Sequence, residues 1–289
     1  MIPGLVAAVF SALCYGVASV LQALGVRRDT EHGGGRAPLL IRVLGRWPFV
    51  AGIGLDLLAF LAQVTALRSL PLFVVQAAQA ASLAVIAVVA VPVLGARLRG
   101  RERAAVVAVC AGLAMLGSAA GVEGPAHTGV EFHVAVLVAA LVVGVLAAAA
   151  SRLPGPARSA ALGMAAGLGF GLVAVSARVI TNLSPGELAR DPAVYAMAFG
   201  GMVAFICYAT ALQRGGVTTA SAMVVIMETI APAVVGALFL GDRTRHGMLP
   251  LGIAGFVIAV VGALALARFG DVEQPTADRA LEDATTRSA

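Results

Sequence analysis

Lysine is absent from this sequence: all 20 basic side chains among its 289 residues are arginine. Charged residues make up 12% of the chain and aromatic ones 5%, with one tryptophan, Trp47. A soluble globular domain carries about 25% charged residues, so a soluble enzyme, a DNA-binding domain and a disordered chain are all excluded. The three cysteines, Cys14, Cys110 and Cys207, stand far apart inside apolar runs. That spacing offers neither a disulfide framework nor a thiolate metal site. His32, His127, His133 and His246 are equally scattered, in or beside loops, so no histidine metal cluster is expected. Without lysine there is no Gly-Lys-Ser/Thr phosphate loop, and ATP-driven pumping by this chain alone is not expected.

Apolar residues are plentiful, at 60% of the chain with a mean hydropathy of +0.96. Apolar stretches fall at about 3–25, 48–68, 70–95, 103–121, 131–150, 157–180, 192–212, 216–240 and 249–268. Each is near the roughly 20 residues that cross a bilayer as a helix. In hydrocarbon every backbone polar group must pair internally, and the ten-residue alternation of a barrel strand is missing. The expected fold is therefore all-α, a polytopic membrane protein of about nine transmembrane helices. Residues 1–269 read as one transmembrane domain and 270–289, with five acids against two arginines, as a disordered tail. The first stretch has no positive segment before it and reads as a retained helix rather than a signal peptide.

A net charge of +5 would suggest nucleic acid in a soluble protein, but here the arginines sit in short loops and set topology. With the N-terminus outside, the inner side holds Arg27, Arg28, Arg36, Arg42, Arg46, Arg97, Arg99, Arg101, Arg103, Arg152, Arg158, Arg214, Arg268, Arg279 and Arg287. The outer side keeps Arg68, Arg178, Arg190, Arg243 and Arg245. The positive-inside rule then predicts a plasma (inner) membrane protein with its N-terminus outside and C-terminus cytoplasmic.

Short motifs recur at a nearly constant offset. Thr65-Ala66-Leu67 is matched by Thr210-Ala211-Leu212, 145 residues on, and Gly117 by Gly262. Leu94-Gly95-Ala96-Arg97-Leu98-Arg99 is matched by Leu240-Gly241-Asp242-Arg243-Thr244-Arg245, 146 residues on. The third and eighth spans are thereby paired across an odd number of crossings, so the copies point in opposite directions. This predicts a four-plus-five inverted repeat, about 3–121 and 131–268, of the kind found in secondary transporters. Which helix lacks a partner stays open at this point.

The Leu-Gly turn bearing arginine after each long helix, with a glycine in the next, resembles the drug/metabolite transporter superfamily. Its nine-span, four-plus-five layout is similar to the NIPA-like magnesium transporters, and the chain resembles this NIPA-like or EamA-like group within the superfamily. Tyr15 to Arg28 resembles the NIPA-like opening helix and basic loop, and Asp56 followed by Phe60 resembles that group's Glu and Phe. Ala59 and Gln76 depart from its Asn and Pro. The resemblance implies transport of a divalent cation such as magnesium, as substrate rather than cofactor. The wider superfamily implies export of a small organic metabolite or drug.

Carboxylates inside spans are costly and mark function. Asp56 and Glu228 both fall near the midplane, where each is a candidate proton carrier or cation ligand; magnesium itself needs one or two carboxylates. Gln63, Gln76 and Gln79 are candidate polar contacts for the same solute, Gln76 and Gln79 sharing a helix face, and Gln22 is a weaker one. Interhelical bonding is the bland alternative for each. Arg178 reads as snorkelling to headgroups. Pro92 and Pro232 should kink their helices, Pro232 freeing carbonyls beside Glu228. Gly163, Gly167 and Gly171 make one smooth face. The scarcity of Trp and Tyr argues against an aromatic cage for organic cations. The expected partners are the bilayer and a small solute or cation, with a homodimer open and no nucleic acid. An intramembrane enzyme acting near Arg97–Arg103 and a non-transporting assembly partner are the rival classes.

Overall fold

A computed structural model describes residues 2–31, 46–94, 100–121, 128–182, 184–213 and 217–272. Its helices are α1 (Ile2–Glu31), α2 (Trp47–Leu67), α3 (Leu72–Ala80), α4 (Ser82–Leu94), α5 (Gly100–Ala119), α6 (Val130–Ala150), α7 (Gly155–Val179), α8 (Pro185–Leu188), α9 (Pro192–Gln213), α10 (Val217–Phe239) and α11 (Leu249–Val272). No strand occurs among the described residues; a lone bridge joins Ala120 to Thr244. Nine helical stretches among them are long and apolar enough to cross a membrane. Large side chains such as Leu57, Val145, Phe205, Leu238 and Val261 point outward. Only lipid suits such a surface, and the chain is an all-α polytopic membrane protein.

Three boundaries differ from expectation. Helix α1 continues through Arg27 and Arg28 to Glu31, although its apolar part ends at Gly25. Helix α11 runs to Val272, two residues beyond Gly270. The third span is two helices, broken at Ala81, where the amide N–H groups of Ala81 and Ala84 bond carbonyls three residues back. The Leu94–Arg99 motif includes residues 95–99, outside the described residues, as are His32, His127 and the tail from 273.

Much of the buried core is alanine and glycine, which lets helix backbones approach closely. A Cβ on Gly163 would meet Ala220 O at 2.6 Å, one on Gly167 would meet Val224 O at 2.6 Å, and one on Gly171 would meet Pro232 Cγ at 2.9 Å. The smooth face of α7 therefore lies directly against α10, running parallel to it. Gly112 and Gly255 likewise bring α5 against an antiparallel α11. Helix α1 packs on α2 and on the α3–α4 span; α7 packs on α9 and α10; α6 packs on α7 and α9, and its Phe132 ring meets Phe239 of α10 with centroids 6.2 Å apart. Leu72 lies by Gly236 and Gln76 by Glu228, so the third and eighth spans run antiparallel.

Candidate functional site: a central cavity closed at one end

The site begins with a proline. Pro232 has no N–H, so the carbonyl of Glu228, four residues earlier in α10, loses its helical donor. Gln76 of α3 supplies the replacement, its Nε2 donating to Glu228 O at 2.5 Å. The expected opening of a carbonyl beside Glu228 is thus present, and an amide from the other half of the chain fills it. Gln76 is 1% exposed, and its Oε1 is buried without a hydrogen-bond partner. An unmet acceptor of this kind costs about 1–3 kcal/mol.

Glu228 and Gln76 line a cavity of about 370 Å³ in the middle of the bundle. Gln63 and Gln79 line it too. Both are tethered: Gln63 Oε1 accepts the Tyr15 hydroxyl at 3.2 Å, and Gln79 Nε2 donates to Ser11 Oγ at 2.9 Å. Ser11 in turn donates to Ala59 O at 2.8 Å, so a chain of bonds fixes α3, α1 and α2 together. The break at Ala81 leaves Gln79, Ser82 and Leu83 on the cavity wall on both sides of the interruption. Nothing in the sequence marks Ala80-Ala81 as a breaker.

Four aromatic rings join the lining: Tyr15, Phe60, Phe170 and Tyr208. Two of the three tyrosines in the chain thus line the same cavity as Glu228, a clustering that the scarcity of aromatics along the chain did not suggest. Scarcity over the whole chain says nothing about clustering in one place.

Asp56 is not among the lining residues. It sits half-buried between α1 and α2, with Oδ2 accepting Gln22 Nε2 at 2.5 Å. Asp56 stands one helical turn before Phe60, which does line the cavity. The structure therefore brings Gln63, Gln76, Gln79 and Glu228 together and leaves Asp56 beside that group, paired with Gln22. No cluster of three or more metal-binding side chains occurs among the described residues.

Arg178 does not snorkel. It is 7% exposed, and NH1 donates to Leu67 O and, at 3.4 Å, to Leu70 O. Its NH2 lies 3.6 Å from Oδ1 of Asp242, whose side chain is fully buried. The other carboxylate oxygen of Asp242 accepts the Leu72 amide N–H at 2.6 Å. Electrostatics explains the arrangement: the guanidinium caps the carbonyl end of α2, and the carboxylate caps the amide end of α3. Gly241 makes it possible, since its φ of 71° turns the chain sharply after α10 and aims Asp242 inward. Around this ion pair Leu67, Leu70, Leu72, Val75, Val179 and Leu240 are fully buried. The cavity is plugged on this side, about one turn above Gln76. On the other side its wall continues along Ser19, Ile86 and Tyr208.

No protein-family model, curated protein or solved structure matches this chain.

Proposed function

We propose that this chain is a secondary transporter that exchanges a small organic cation for a proton at Glu228. The carrying observation is the central cavity, where one carboxylate, three glutamines and four aromatic rings converge from both halves. A cation over aromatic faces gains about 0.5–2 kcal/mol, and a single carboxylate suits either a proton or one positive charge. Magnesium, implied by the NIPA-like resemblance, keeps several waters and wants oxygen ligands. A wall in which four rings surround a single carboxylate, with Asp56 outside it, favours the organic solute.

The packing supports the inverted-repeat reading as well. The first span pairs with the second and third as the sixth pairs with the seventh and eighth, while the fourth meets the ninth in antiparallel contact. On this reading spans one to four correspond to six to nine, and α6 is the helix without a partner. With the N-terminus outside, the Arg178–Asp242 plug closes the outer end and the cavity faces the cytoplasm. Alternating access then requires this plug to open.

The test is flux in proteoliposomes carrying internal pH and magnesium dyes. Tetramethylammonium, tetraethylammonium and benzyltrimethylammonium are added in turn, then magnesium. A cation-dependent pH change in wild type and Asp56→Asn, lost in Glu228→Gln, is the expected result. Magnesium entry that depends on Glu228, with no response to the organic cations, moves the assignment to divalent transport. Silence with folded protein counts against transport.

A further inference from the structure

A second basic and apolar site lies at the plugged end, on the lipid-facing side of α10 and α11. A groove of about 580 Å³ runs between these helices, walled by Ile230, Val234 and Ile253 and floored by Phe73, Ala233 and Phe256. At its membrane-border end stand Arg243, Arg245 and His246, all exposed. Asp242 also reaches this groove, but its carboxylate is engaged by Arg178 and the Leu72 amide.

The basic rim is held in place. Arg243 O accepts the Gly121 amide N–H at 3.1 Å, the Arg245 amide donates to Ala119 O at 2.9 Å, and Arg245 Nε donates to Ala120 O at 3.1 Å. These bonds pin the loop to the end of α5, so the cations are positioned in advance of any ligand. The positive end of the α11 helix begins at Leu249, on the same rim. Arg245 also borders the adjoining apolar groove of about 570 Å³ between α1 and α5, lined by Leu5, Val9 and Phe10. One arginine-bearing loop therefore crowns two apolar channels that descend toward the bilayer interior.

We infer that the α10–α11 groove is a specific site for an anionic phospholipid, the phosphate at Arg243 and His246 and an acyl chain along Val234 and Ile253. A zwitterionic lipid would fill the groove equally well, so the discrimination rests on charge at the rim. Each arginine near a membrane surface favours an anionic headgroup by about fivefold in affinity. The inference depends on the membrane class of the protein and is independent of what it transports.

Native mass spectrometry of the detergent-purified full chain, titrated with dioleoyl phosphatidylglycerol or dioleoyl phosphatidylcholine, tests it. Wild type should retain phosphatidylglycerol preferentially, and Arg243→Gln should lower that affinity about fivefold. Arg190→Gln, an exposed arginine at the same end, should leave it unchanged. Ala237→Trp, which fills the groove without touching its charge, should weaken both lipids. A melting curve for each variant confirms that it is folded. Equal retention of the two lipids, or a preference that survives Arg243→Gln, overturns the proposal. So does displacement of phosphatidylglycerol by millimolar inorganic phosphate together with indifference to Ala237→Trp, since the site would then bind an ion and no lipid.

Discussion

Replacing Arg178 by methionine should destabilise the protein severely, while replacing both Arg178 and Asp242 should cost less than either change predicts. The Asp242 side chain is fully buried, so Arg178→Met removes the guanidinium that lies 3.6 Å from a carboxylate shut away from water. Removing one partner of a buried pair costs about 3–5 kcal/mol. Asp242→Asn, which strands the guanidinium but keeps an acceptor for Leu72 N–H, falls toward the lower end of that range. In the double variant no charge remains. Its loss is then set mainly by neutral hydrogen bonds such as those from Arg178 to Leu67 O and Leu70 O, about 1 kcal/mol each. Independent effects would sum to about 6–10 kcal/mol against about 2 for the double, a coupling of at least about 4 kcal/mol. In detergent, heating followed by size-exclusion chromatography should show each single variant melting on the order of 10 °C below wild type. The double variant should recover most of that. Singles that melt with wild type, or a double as damaged as their sum, would refute the reasoning.

Other consequences are as direct. Gln76→Ala exchanges one unmet acceptor, Gln76 Oε1, for another, Glu228 O, and should cost only about 0.5–1.5 kcal/mol in wild type, the net worth of one hydrogen bond; in a Pro232→Ala background, where residue 232 regains the N–H that serves Glu228 O, it should be neutral or stabilising; melting of the four proteins in the cycle measures it. Gly167→Leu should separate α7 from α10 and lower the melting temperature sharply, whereas Gly54→Ala, with nothing within 4 Å of the added carbon, should be silent in the same assay. Tyr208→Ala should weaken organic-cation affinity severalfold in a flux competition, through loss of a ring from the cavity wall.

The spans were legible because lipid imposes one rule on a whole segment, and a run of apolar residues of the right length has few alternatives. Glu228 and Pro232 were legible for a related reason: a carboxylate and a missing N–H are local facts, and their consequence four residues away follows from helix geometry. Arg178 and Asp242 were not. Each stands near the end of a span, where a lone charge ordinarily reaches water, and only the meeting of α2, α3, α7 and α10 buries both. The break at Ala81 carries no glycine or proline, so tertiary packing alone produces it. Asp56 was legible as an intramembrane acid, but whether it joins Glu228 or Gln22 depends on which face of α2 meets α1. The aromatic cluster escaped notice because Tyr15, Phe60, Phe170 and Tyr208 come from four different helices and share no spacing.

The central claim is that Glu228 holds either a proton or the organic cation. Proton release measured in weakly buffered detergent solution, as the cation identified by flux is titrated into purified protein, tests it most directly. The account predicts about one proton released per cation bound, and none from Glu228→Gln. Saturable binding in wild type without proton release, or release that persists in Glu228→Gln, would contradict it.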